Sequence, residues 1–278
     1  MLNLSRISEG FLDPIAQVVQ VAVECAPDLS ADRVMLVGAW CRDVFQVALG
    51  HDFRTRATRD VDLALALSGW ETYEILAATF PRVGNTGIRF EIGSQIVDLL
   101  PFGDLEDPKG IVGPPTRDET MSVWAFEKIF SRSLPLDLTS AVTIRIPTIA
   151  GYAAAKLAAW LDRSQWGEPK DANDLALVAY WYSESPGVAD RLYDTPDGQR
   201  VLVDEGVDLA CAAARLLGWD VADAVGSERL GELLERWPGD LEMLVRNFTL
   251  STGPRWMEQD RRRRDVIDAL TRGLADQI

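Results

Sequence analysis

Residues 34–67 read VMLVGAWCRDVFQVALGHDFRTRATRDVDLALAL. Residues 34–37 are apolar and uncharged, which predicts a short buried strand, and Gly38-Ala39 marks the turn after it. A helix is expected over residues 40–49, followed by a basic loop over 50–59 that carries Arg54, Arg56 and Arg59. The next apolar run, residues 61–67, predicts a strand that opens on Asp60-Val61-Asp62. Side chains alternate along a strand, so Asp60 and Asp62 project from one face. Two carboxylates side by side repel, and burying them as anions is costly. A hard divalent cation such as Mg²⁺, which prefers carboxylate oxygens, resolves that conflict. A third acid, Asp98, interrupts the apolar run Gln-Ile-Val-Asp-Leu-Leu at residues 95–100. Asp60, Asp62 and Asp98 are therefore the expected metal ligands.

Outward from this stretch the chain divides in two. Residues 9–26 have helical apolar spacing, with Pro14 suited to a first turn. A helix is expected near residues 70–79, and strands near 88–92 and 95–100 joined as a hairpin across a Gly-Ser turn. Residues 101–119, rich in Pro, Gly and Asp, read as loop, and a strand is expected over 142–146. After Pro147 only helical periods follow. Thr148 is a candidate N-cap for a helix to about residue 162, and a second helix is expected over about 169–182. Later breaks are expected at residues 185–187, 195–198, 218, 238–239 and 253–254. The expected architecture is α/β (α+β): a mixed-sheet domain at 1–147 and a helical domain at 148–278.

Composition limits the chemistry. With 278 residues, 47% of them hydrophobic, the chain can bury a substantial core. The net charge of −15 argues against broad charge-driven binding of nucleic acid but leaves room for a local basic groove. The three cysteines, Cys25, Cys41 and Cys211, show no metal-ligand spacing and suit a reducing compartment. His51 is the single histidine, which removes histidine-rich zinc sites. The sequence offers neither a leader nor a bilayer-length apolar run, so a cytoplasmic chain with no membrane partner is expected.

Three further constellations bear on function. Gly38-Ala39 lets backbone N–H groups approach a phosphate at a helix N-terminus, with Arg42 close by, able to contact a triphosphate or to pair with Asp43 or another acid. Lys156 sits within the apolar run AAAKLAAWL and needs an anion, which a phosphate oxygen or Asp171 can supply. Asp171 and Asp174 lie three residues apart on one helix face, able to turn toward Lys156 or Arg163. Four arginines, 261–264, read either as a phosphate patch or as a solvated helix face among Glu258, Asp260, Asp265 and Asp268. The tryptophans, Trp160, Trp181, Trp219 and Trp237 among them, read as core or interface residues.

Read together, Leu36-Val37-Gly38-Ala39, Arg56-Ala57-Thr58-Arg59-Asp60-Val61-Asp62-Leu63, Val97-Asp98-Leu99-Leu100-Pro101-Phe102, the Lys156–Arg163 segment and Lys170-Asp171-Ala172-Asn173-Asp174-Leu175 resemble the polymerase-beta-type nucleotidyltransferases. Within these they are most similar to the abortive-infection toxins of the AbiEii/AbiGii family, whose relatives include the mycobacterial MenT toxins. The resemblance covers roughly residues 34–182. The segment LVGAWCRD is also similar to the V-G-G-x-V-R-D segment of the CCA-adding tRNA nucleotidyltransferases, which share the catalytic core. Ala39 stands where the family's first motif has Ser, which keeps a backbone contact to phosphate but supplies no hydroxyl.

The resemblance implies a polymerase-beta-like nucleotidyltransferase domain that moves NMP from an NTP to an acceptor hydroxyl and releases pyrophosphate. It implies two Mg²⁺ ions, with Mn²⁺ as substitute, held by Asp60, Asp62 and Asp98, the last as third ligand or general base. Lys156 and Asp171 would be the downstream active-site pair, and Gly38, Ala39, Arg42 and Lys156 would meet the nucleotide. The implied acceptor is an RNA 3′ end, tRNA in particular, and the implied partner is a cognate antitoxin, as in toxin–antitoxin or phage-defence systems. Two rival readings stand beside it. One is an antibiotic nucleotidyltransferase of the aminoglycoside or lincosamide type. The other is a non-catalytic NTP-binding or protein-interaction module.

Overall fold

The computed structural model describes residues 4–163 and 167–277. The chain forms two compact units, Met1–Thr148 and Ile149–Ile278. The first is mixed α/β and the second is helical.

The first unit runs α1 (Asp13–Cys25), β1 (Val34–Val37), α2 (Gly38–Ala48), β2 (Asp60–Leu67), α3 (Glu71–Thr79), β3 (Arg89–Ile92), β4 (Gln95–Gly103), β5 (Ile111–Val112), β6 (Met121–Ser122), α4 (Phe126–Ser131), β7 (Leu134–Asp137) and β8 (Thr143–Ile146). Six strands form one sheet in the order β3-β4-β2-β1-β8-β7. The sheet is mixed: β1 runs antiparallel to β2 and parallel to β8, while β2 runs parallel to β4. The two edges are antiparallel hairpins, β3–β4 and β7–β8. In α1, Ile15, Val18, Val19 and Ala22 recur at three- and four-residue steps and are buried, so one stripe of the helix faces the core. Tyr73 of α3 meets Phe90 of β3 edge to face at 6.3 Å, and Phe102 of β4 meets Phe126 and Phe130 at 5.9 and 5.4 Å.

The segment expected to be loop over 101–119 is more ordered than its composition indicates. The strand β4 continues through Pro101 to Gly103, and Ile111–Val112 pairs with Met121–Ser122. The helix α4 and strand β7 were not expected from the sequence. Pro135 lies in β7 at the sheet edge, where a missing N–H leaves no interior ladder bond unmade.

The second unit comprises α5 (Ile149–Arg163), α6 (Lys170–Ser183), α7 (Pro186–Asp194), α8 (Pro196–Asp204), α9 (Leu209–Glu235), α10 (Glu242–Asn247) and α11 (Asp260–Ala275). The breaks expected at residues 185–187 and 195–198 are helix starts. Ser185 and Thr195 accept from the amides of Val188 and Gly198, each just before a proline in the first turn. Gly218, read from the sequence as a break, instead lies inside α9. A Cβ on Gly218 would stand 2.5 Å from the Leu270 carbonyl oxygen, and one on Gly273 2.1 Å from that of Arg215. The missing side chains let α9 and α11 meet backbone to backbone. The irregularity in α9 falls at Gly226 instead. Trp160 and Trp181 are buried, and Trp160 packs beside Trp237 with ring centroids 6.2 Å apart. Among the described residues, no helix is long and apolar enough to cross a membrane.

Candidate active site

The acidic face follows from strand register. Asp62 of β2 is the partner of Asp98 on β4 and of Val37 on β1. Asp98 is in turn the partner of Arg89 on β3. Register partners project from the same side of a sheet, so Arg89, Asp98 and Asp62 form one row across three strands. Asp60, two residues before Asp62, joins the same face. The three acids expected from the sequence therefore share one face.

Where β1 meets α2, the backbone makes room for this row. Gly38 has φ +67°, and a Cβ built on it would lie 1.9 Å from Asp62 Oδ2. Glycine is thus required for its conformation and for the space that the Asp62 carboxylate occupies. Ala39 follows in the first turn of α2, half-buried.

Arg89 is the residue the sequence reading missed. Its Nε donates to Asp98 Oδ1 at 2.7 Å, and its Nη2 donates to Asp98 Oδ2 and Asp60 Oδ2, each at 2.7 Å. The guanidinium thus forks onto both oxygens of Asp98 and bridges to Asp60. Its pKa is raised, first by the hydrogen bond to Asp98 and further by the charges of Asp98, Asp60 and Asp62, which outweigh burial. Thr58 Oγ1 donates to the other oxygen of Asp60 at 2.8 Å. The signal for Arg89 lay in the hairpin. A two-residue Gly93-Ser94 turn sets Ile92 opposite Gln95, and counting outward sets Arg89 opposite Asp98.

Hard carboxylate oxygens on one face, with a glycine cradle beneath one of them, have the donor chemistry that Mg²⁺ takes. Among the described residues, however, no three His, Cys, Asp or Glu side chains stand together as a ready metal shell. In this arrangement Arg89 occupies oxygens of two of the three acids.

Arg42 takes the second of its two expected roles, pairing with Asp43. It is buried, at 1% exposure, rather than presented to a nucleotide. Its Nε donates to Asp43 at 2.9 Å and its Nη2 to the Arg56 carbonyl. Thr55 also donates to Asp43, and Gln46 Nε2 donates to the Phe53 carbonyl at 2.8 Å. Arg42, Asp43 and Gln46 of α2 therefore pin the basic loop. Arg54 and Arg59 are exposed on that loop, and Arg56 is half-buried.

In the second unit, Lys156 of α5 meets Asp174 Oδ2 at 2.7 Å and Asp171 Oδ1 at 3.4 Å. Arg163 donates a fork to Asp171, Nε to Oδ2 at 3.0 Å and Nη2 to Oδ1 at 2.9 Å. Asp171 and Asp174 are almost fully buried, and Lys156 lies over the Tyr152 ring at 5.4 Å. The anion that Lys156 needs is thus supplied by two aspartates. The run 261–264 serves the fold rather than forming a free phosphate patch. Arg262 pairs with Asp208, Arg263 with Asp260 and with carbonyls of Met257 and Glu258, and Arg264 with Glu242. Arg261 is exposed.

No model of a known protein family and no curated protein matches the chain.

Proposed function

We propose that the chain is a metal-dependent nucleotidyltransferase of the polymerase-beta type, moving NMP from an NTP to the hydroxyl of an RNA 3′ end, as a toxin restrained by a partner antitoxin. The observation that carries this reading is the row Asp62–Asp98 with Asp60 beside it, set against a glycine that starts a helix. Asp60, Asp62 and Asp98 would hold the divalent cations, which when bound supply Lewis acidity at the phosphoryl oxygens and make the acceptor hydroxyl more acidic. Gly38 and Ala39 offer backbone N–H groups to a phosphate at the positive end of α2. Arg42 acts indirectly, by holding the loop that presents Arg54 and Arg59. Lys156 and Asp171 are the downstream pair of this reading.

The test is incubation with each labelled NTP, Mg²⁺ and total RNA, with label read on a defined RNA band. Asp62→Asn keeps the size of the side chain and removes its charge. It is expected to cost about 4 kcal/mol of transition-state stabilisation, roughly a thousandfold in rate, with the circular dichroism spectrum unchanged. Turnover near wild type in Asp62→Asn refutes the reading. The net charge of −15 favours a second acceptor, a cationic aminoglycoside or lincosamide. Label on such a drug and on no RNA replaces the toxin reading, and label on neither leaves a non-catalytic NTP-binding module.

A further inference from the structure

Arg89 is placed to do more than stabilise a hairpin. It belongs to β3, the edge strand of the sheet, and its side chain is 30% exposed. It spends two donors on Asp98 and shares one of them with Asp60. A guanidinium does not lose its proton in a protein, so it can release these oxygens only by moving away. The chain at Pro81–Val83 bonds along the outer side of β3, and the solvent-facing part of the Arg89 side chain leaves a route for that movement. Because Arg89 and Asp98 are register partners, the guanidinium returns to the same place by default.

We propose that Arg89 is a built-in counter-ion that competes with a divalent cation for Asp60 and Asp98, so that metal binding requires the arginine to swing off the carboxylates. The proposal rests on the metal reading given above. Like charges a few ångströms apart repel, and the repulsion doubles against a divalent ion. Cation and guanidinium therefore exclude each other from the same oxygens. Arg89 is a positioning residue in this account: it acts through Asp60 and Asp98 and sets the cation concentration at which the site fills.

The experiment is a Mn²⁺ titration of the full chain followed by electron paramagnetic resonance, with Mn²⁺ as the only ligand. Wild type is compared with Arg89→Gln, Arg89→Lys and Asp62→Asn. Arg89→Gln is expected to tighten Mn²⁺ binding by roughly tenfold, the equivalent of 1.4 kcal/mol. Arg89→Lys, which keeps the charge but loses the fork, should fall between Arg89→Gln and wild type. A purely structural arginine would lower the melting temperature of Arg89→Gln and leave the Mn²⁺ affinity equal to or weaker than wild type. That result overturns the proposal and spares the metal reading. If wild type and Arg89→Gln bind Mn²⁺ no better than Asp62→Asn, the metal reading falls and the proposal with it. Should Arg89→Gln fail to fold, an unchanged affinity in Arg89→Lys overturns the proposal.

Discussion

Gly38→Ala tests the junction on which the acidic face depends. At φ +67° an L-residue is strained by about 1–2 kcal/mol. The new Cβ would also lie 1.9 Å from Asp62 Oδ2, 2.6 Å from its Cγ and 2.9 Å from its Cβ. Relieving such an overlap in a packed site costs typically about 1–3 kcal/mol more. The sum, about 2–5 kcal/mol, includes a backbone part that can be measured separately. Gly84 has φ +68° and no atom within 4 Å of a built Cβ, so Gly84→Ala reports the backbone strain alone. Urea unfolding, followed by hydrogen exchange on peptides covering β1 and β2, gives both values. Gly38→Ala should exceed Gly84→Ala by about 1–3 kcal/mol. The excess should shrink in an Asp62→Ala background, which removes the two nearest atoms. Equal costs for the two alanines would refute the claim that the Asp62 carboxylate occupies the space left by Gly38.

Lys156→Ala leaves Asp171 and Asp174 buried without the ammonium they share, while Arg163 still pairs with Asp171. It should destabilise the helical unit by about 3 kcal/mol, the lower end of the cost of breaking a buried pair; a loss below 1 kcal/mol in urea would contradict the ion cluster. RNA labelling should weaken steeply from low to physiological salt, with a slope of about −0.7 per phosphate contact on a single strand. Arg54→Glu with Arg59→Glu should flatten that slope while sparing NTP binding, and an unchanged slope would move the RNA surface elsewhere. Burial, reinforced by Asp208, pushes the Cys211 thiol up to about 11, so little thiolate exists at pH 8. Iodoacetamide should therefore label the half-exposed Cys25 well before Cys211, as read by peptide mass spectrometry; faster labelling at Cys211 would count against its burial.

The elements legible in the sequence were those with one dominant period and clear punctuation. β1, α2 and β2 fall within a residue or two of where apolar runs, Gly38 and the basic loop put them. Asp98 was visible because it is a lone charge in an apolar run. The failures have separate causes. β7 was missed because Pro135 argues against a strand, and only the sheet order makes it an edge. Gly218 was read as a helix breaker because a sequence does not reveal a helix crossing, and there the absent side chain is what matters. For Arg42 the sequence left a phosphate contact and a pairing with Asp43 both open, and the helix, which rotates the side chain inward, selects the pairing. Arg89 required the hairpin register to be counted out, and its bridge to Asp60 comes from the neighbouring parallel pairing.

The hydrogen bonds from α2 to the loop that follows it make the two one mechanical body. The helix starts at Gly38, and Arg42, Asp43 and Gln46 grip the chain at Phe53, Thr55 and Arg56. A helix of eleven residues does not stretch, so a small displacement of its first turn is carried to the loop rather than absorbed along the way. Arg54 and Arg59 ride on that loop. A displacement of the first turn of α2 would therefore shift Arg54 and Arg59, which lie sixteen and twenty-one residues beyond Gly38.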